Sequence, residues 1–173
     1  MQVGEHTYGS EFVTIKQWTR NDTVVAGKFC SLSSDIKIVI DGNHNVNTFS
    51  SFPFRERLGW EECPPGNWGK ETPTIGNDVW ISDDVVIYSG CHIGDGAVIA
   101  GQSVITTSVP PYAIVAGNPA RIIKYRFPPE IIRELLCHKW WDLPLEVIRS
   151  QLIPYMHDIH ALLRELRQIN AEL

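Results

Sequence analysis

The stretch 74-TIGNDVWISDDVVIYSGCHIGDGAVIAGQSVITTSVP-110 sets Ile75, Ile81, Ile87, Ile93, Ile99 and Ile105 at strict intervals of six. Four residues after each isoleucine stands Val79, Val85, Cys91, Ala97, Ser103 or Val109, a second column of small or β-branched side chains. Neither column fits the helical repeat of about 3.6 residues. A period of six with Ile in one column predicts a left-handed parallel β-helix, in which each hexapeptide forms one flat side of a triangular coil. The isoleucines then point inward and stack on the next coil at a strand spacing of about 4.8 Å. Gly, Asn and Asp near the corners tolerate the tight turns.

The same repeat begins earlier, in 25-VAGKFCSLSSDIKIVIDGNH-44, where Ala26, Leu32 and Ile38 are again six apart and His44 is next in the count. From residue 45 to about residue 72 the period is lost, and Phe49, Phe52, Phe54, Trp60 and Trp68 stand among prolines and glycines. This segment reads as a long loop inserted in the coil, and its aromatic content argues for order and function. Beyond 111-PYAIVAGNPARII-123 the pattern becomes helical. Ile131, Leu135 and Leu136 share one face of 128-PPEIIRELLCHKWW-141, and 144–173 continues likewise with a break at Pro154. These helices are expected to cap the coil or pack on a neighbouring chain. The expected organisation is a β-helix domain over 1–125 and a C-terminal helical extension over 126–173, both in one structural unit.

The composition bounds the function. A chain of 173 residues, 43% hydrophobic and 20% charged, is sized for a single globular domain. A net charge of -5 without a long basic run excludes extended contact with a nucleic-acid backbone. No apolar run is long enough to span a bilayer and the start lacks a leader pattern, so no membrane insertion and a cytoplasmic location are expected. Cys30, Cys63, Cys91 and Cys137 are scattered and read as free thiols. His157 and His160 share a helical face but lack a third ligand, so no metal is expected.

Seven motifs in order, GKFCS (27–31), GNH (42–44), PF (53–54), IGNDVWI (75–81), IGDGAVIAGQSVI (93–105), PYAIVAGNPARIIKYRF (111–127) and KWWDLP (139–144), carry a resemblance. The chain resembles the hexapeptide-repeat acyltransferases, in particular their xenobiotic acetyltransferase branch, which acetylates chloramphenicol and streptogramins. The resemblance implies acetyl transfer from acetyl-CoA to a hydroxyl or amine in a homotrimer whose active sites lie between subunits. It also implies that His44, the histidine of the NH motif, is the general base. Ser82 and Thr107 depart from the family's usual Gly and Lys.

The chemistry nominates further residues. An alcohol attacking a thioester must shed a proton, and a neutral imidazole is suited to take it. The resulting oxyanion needs donors already aimed at it, and the resemblance puts the turn from Trp80 to Asp83 nearby, as an oxyanion or orienting element. Candidates for CoA are Gly101, where a ligand can approach the backbone, Thr106 and Thr107, and the cations Arg121 and Lys124 for phosphate. Phe52, Phe54 and Trp60 would wall the acceptor pocket, and Asp35 and Asp41 would orient His44 or bind an acceptor amine. No cysteine stands in an activating context, so direct transfer through a ternary complex is expected.

The acceptor is expected to be a sugar or amino sugar, with an antibiotic such as chloramphenicol or a streptogramin as the alternative. A non-catalytic or metal-binding β-helix is the alternative of another class. It would need several converging histidines, for which the sequence offers mainly His44 and His92.

Overall fold

The computed structural model describes residues 1–172, which divide into two compact units with the boundary after Tyr125. In the first unit the chain visits three parallel sheets in rotation. Thr74–Ile75, Trp80–Ile81 and Val86–Tyr88 are followed by His92–Ile93, Val98–Ile99 and Val104–Ile105 on the same three sheets. Ile75 pairs with Ile93, Ile81 with Ile99 and Ile87 with Ile105, so each circuit takes 18 residues, or three hexapeptides. Both columns turn inward: the isoleucines and Val79, Val85, Cys91, Ala97, Ser103 and Val109 are all buried. Each isoleucine removed from water stabilises the stack by about 1.5–3 kcal/mol.

The corners explain why the period is six. Asp78, Asp84, Gly90, Gly96 and Gln102 all adopt positive φ, between 54° and 77°. One left-handed residue per hexapeptide turns the chain onto the next sheet, and Phe29 and Asp35 do the same in the earlier fragment. Gly96 cannot be replaced cheaply, because a Cβ there would lie 2.5 Å from the Tyr112 ring.

Ala26, Leu32 and Ile38 pair with Ile75, Ile81 and Ile87. Those partners are 49 residues away instead of 18, so an excursion of 31 extra residues leaves the circuit and rejoins it in register. Ile75 therefore fills the place in the rotation that spacing gives to His44. His44 instead belongs to the excursion, in the strand Asn43–His44, antiparallel to Asn67–Trp68. A short helix, Phe54–Leu58, lies between these two strands. The unit ends in an antiparallel hairpin, Ala113–Gly117 with Ala120–Tyr125, whose first strand pairs in parallel with Val98–Ile99.

The second unit is helical. Pro129–His138 starts with proline in its first turn, where no N–H is required. Short turns over 145–155 replace a continuous helix, and Ile159–Glu172 follows. Asp158 Oδ1 caps that helix by accepting the Ala161 N–H at 3.0 Å. Ile131, Leu135, Trp141, Leu152, Leu163 and Leu166 are buried. Among the described residues no helix is long and apolar enough to cross a membrane.

Candidate functional site

The excursion is anchored where it leaves the circuit. Asp41 is buried, and its carboxylate accepts the N–H groups of Trp18, Thr19 and Arg20 at 2.7, 2.8 and 2.9 Å and the Thr19 hydroxyl at 2.7 Å. Burial pushes this carboxyl up, but the donors from Thr19, Trp18 and Arg20 outweigh it and hold it below the usual carboxylate range. The next residue, Gly42, has φ +94°, and a Cβ there would strike the Trp18 ring at 2.6 Å. His44 follows two residues later.

The imidazole is exposed, and Nδ1 lies 2.7 Å from the backbone carbonyl oxygen of Ser51. A carbonyl can only accept, so Nδ1 carries the proton and the lone pair of the neutral ring is on Nε2. Asn67 stands directly opposite His44 in the two-strand ladder.

A cleft of about 160 Å³ is lined by Asn45, Ser51, Phe49, Phe52, Phe54 and Cys63 among others, with His44 itself outside the lining. It includes both the neighbour of His44 and the residue that fixes its ring. Phe54 is the centre of an aromatic cluster, stacked on Trp60 at 5.3 Å, edge-on to Phe52 at 5.0 Å and 6.0 Å from Phe49. Phe52 and Phe54 are in the lining of the cleft, and Trp60, stacked on Phe54, is outside it.

Two of the predicted carboxylates, Asp41 and Asp83, are engaged by neighbouring turns. Asp41 is a buried staple whose two carboxylate oxygens are taken by the Trp18, Thr19 and Arg20 N–H groups and the Thr19 hydroxyl. Asp35 is an exposed corner residue with φ 59°. Asp83 accepts the hydroxyls of Ser33 and Ser34 and the Ser34 N–H, and the Ser33 bond, then those of Ser34, lower its carboxyl. These contacts tie neighbouring corners together. Trp80 leaves 54% of its surface exposed on a sheet face.

Thr106, Thr107 and Arg121 come together in a second cavity of about 400 Å³, also lined by Ser108, Pro110 and Val115. Gly101 and Lys124 lie outside that lining. Gly101 is exposed, and the nearest atoms a Cβ there would meet are the Asp83 carbonyl at 3.3 Å and the Ser82 hydroxyl at 3.5 Å. Lys124 is exposed on the terminal hairpin.

Sequence reasoning missed Ser51, Asn67 and Glu56. Glu56 Oε1 accepts the Gly66 N–H at 2.9 Å. That bond, with the Asn67 N–H and the nearby Arg55 adding to it, keeps the Glu56 carboxyl below its usual range. Ser51 acts through its carbonyl, which no side-chain pattern reveals. Glu56 bonds Gly66, ten positions away across an aperiodic segment. Among the described residues no group of His, Cys, Asp and Glu could hold a metal ion.

Hexapeptides in rotation over three parallel sheets, with a tethered imidazole on an excursion from them, define a hexapeptide-repeat protein. The family profile "Bacterial transferase hexapeptide (six repeats)" matches residues 72–107. A probable macrolide acetyltransferase of Lysinibacillus sphaericus is 40% identical over 86% of this chain and 80% of its own. A chloramphenicol acetyltransferase of Agrobacterium fabrum is 40% identical over 76% of this chain, which spans 65% of that relative. The crystal structure of a hexapeptide-repeat-containing acetyltransferase from Vibrio cholerae superimposes with a TM-score of 0.55 at 26% identity, covering 73% of this chain and 62% of that one. The chain belongs to the hexapeptide-repeat acetyltransferases.

Proposed function

We propose that this protein transfers an acetyl group from acetyl-CoA directly to a hydroxyl or amine of a small acceptor, with His44 as general base. The observation that carries the reading is the bond from His44 Nδ1–H to the Ser51 carbonyl, which leaves the Nε2 lone pair as the proton acceptor. As the acceptor oxygen or nitrogen attacks the thioester carbonyl, its proton passes to Nε2 and the new C–O or C–N bond forms. Collapse of the tetrahedral intermediate breaks the C–S bond, and the imidazolium returns the proton to the departing thiolate. General-base assistance of this kind is worth about 10²–10⁴ in rate.

Thr106, Thr107 and Arg121 would receive the CoA phosphates, Arg121 as a fork. Gly101 would let the pantetheine arm approach the backbone, and Lys124 would add charge. The exposed Trp80 would orient the acceptor. The parallel circuit is read as the left-handed β-helix, assembled as a homotrimer with sites between copies; the exposed Tyr8, Trp18, Trp68 and Trp80 supply apolar surface for it.

The cluster of Phe52, Phe54 and Trp60, the first two of which line the cleft, favours an acceptor with an apolar face, as in the antibiotics for which the two named relatives are described. A sugar-like acceptor is the second reading, favoured by Asn45, Thr48 and Ser50 on the same cleft. The test is CoA release from acetyl-CoA with pools of macrolides, chloramphenicol, streptogramins, amino sugars and nucleotide sugars. Turnover with one pool, lost in His44→Ala while acetyl-CoA still binds, is the expected result. Equal turnover in both proteins would remove His44 as the base.

A further inference from the structure

We propose that Glu56 is a positioning residue for His44, holding the strand opposite the imidazole through the backbone N–H of Gly66, which immediately precedes it. The inference rests on the reading of His44 as the base.

His44 has two attachments, and both belong to the segment that Glu56 closes. The ring is held by the carbonyl of Ser51, and the strand Asn43–His44 pairs with Asn67–Trp68. Between them, the helix Phe54–Leu58 carries Glu56, whose carboxylate takes the Gly66 N–H at 2.9 Å, one residue before the strand Asn67–Trp68. A two-residue ladder alone is a weak constraint, since isolated two-stranded pairs are marginal in water. A carboxylate accepting a backbone N–H is a stronger one.

The fit at Gly66 is independent support. Gly66 is buried, and a Cβ there would lie 2.5 Å from Pro53 Cβ and 3.1 Å from Glu56 Oε2. The chain is clasped between Pro53, next to the start of the helix, and the Glu56 carboxylate. Ser51 and Gly66 also both line the cleft. Releasing the clasp at Gly66 therefore frees the strand facing His44 and the loop end that holds its ring. A ring released from Ser51 loses the contact that selects Nδ1–H and becomes a mixture of tautomers, in which Nε2 spends part of its time protonated and unable to accept.

The tautomer is a signature that loss of stability alone would not move. Long-range nitrogen–proton correlation spectra of histidine-labelled protein at pH 8 report it directly, with the His44 signals assigned by their absence in His44→Ala. In the native protein His44 is expected to show the Nδ1–H pattern. In Glu56→Ala it is expected to shift to a majority Nε2–H pattern, while Glu56→Gln, which retains an acceptor oxygen, stays closer to native. Should Glu56→Ala fail to fold, Glu56→Asp takes its place, because retraction by one methylene withdraws the carboxylate from Gly66. A native pattern in a folded Glu56→Ala or Glu56→Asp protein overturns the inference, as does a native protein without Nδ1–H at His44. Full turnover in His44→Ala would instead sink the base reading, a separate outcome read by CoA release.

Discussion

Nδ1 of His44 donates to the backbone carbonyl of Ser51 at 2.7 Å, so a residue seven positions along the loop chooses which nitrogen of the imidazole is free. The device uses no second side chain and survives any substitution at Ser51 that keeps the backbone in place. Ser51→Ala should therefore leave kcat within about twofold of native, whereas His44→Ala should lower it about 10²–10⁴-fold. Steady-state rates at saturating acetyl-CoA decide it. A large loss in Ser51→Ala would show that the hydroxyl, and not the carbonyl, matters.

The aromatic cluster predicts a division of kinetic effects. Phe54 touches three other rings, so Phe54→Ala removes the stack that shapes the cleft. Aromatic pairs are worth about 0.5–1.5 kcal/mol each beyond the area they bury. The expected result is a rise of roughly tenfold or more in KM for the acceptor with KM for acetyl-CoA unchanged, and initial rates with each substrate varied in turn will show it. Equal rises in both constants would mean that the cluster supports the whole loop and not the acceptor side alone.

Arg121 should show the opposite split. It is exposed on the rim of the cavity that also holds Thr106 and Thr107. Charge-assisted contacts to phosphate are worth about 1.5–3 kcal/mol. Arg121→Ala is expected to raise KM for acetyl-CoA by about tenfold or more, and the difference from native should shrink as salt is added. If KM is unchanged at low salt, the phosphates lie elsewhere.

What the sequence made legible was what is local and periodic. The six-residue columns predicted strand, interior and corner together, because each hexapeptide repeats the same inward isoleucine and the same left-handed turn. Where pairing jumps 49 residues, as from Ala26 to Ile75, spacing alone misled: the count from Ile38 runs on to His44, but the rotation is completed by Ile75 across the excursion. The aromatic cluster was visible as composition, and its ring contacts were not. Asp41 looked like a site carboxylate because it stands near His44 in sequence. Its donors lie at Trp18, Thr19 and Arg20, more than twenty positions back, and only the folded chain brings them to it.

That staple gives a stability prediction with a defined sign in pH. The native carboxyl of Asp41 is held below its ordinary value, so its contribution is fully present above the unfolded-state pKa of about 3.9 and is lost as pH falls through the lower native value. At pH 7, Asp41→Asn should lose about 2–3 kcal/mol, because the amide oxygen replaces a charged acceptor and its NH₂ faces donors that need an acceptor. Between pH 7 and 5 the difference from native should stay flat, since the group is ionised in both folded and unfolded chains across that window. Below about pH 4 it should narrow as protonation removes the advantage of the charge from the native protein. Denaturant unfolding of both proteins at several pH values measures it. A gap that persists undiminished to the lowest pH at which the fold survives would assign the loss to packing against Trp18 and Thr19, leaving the charge without a role in holding the excursion to the sheets.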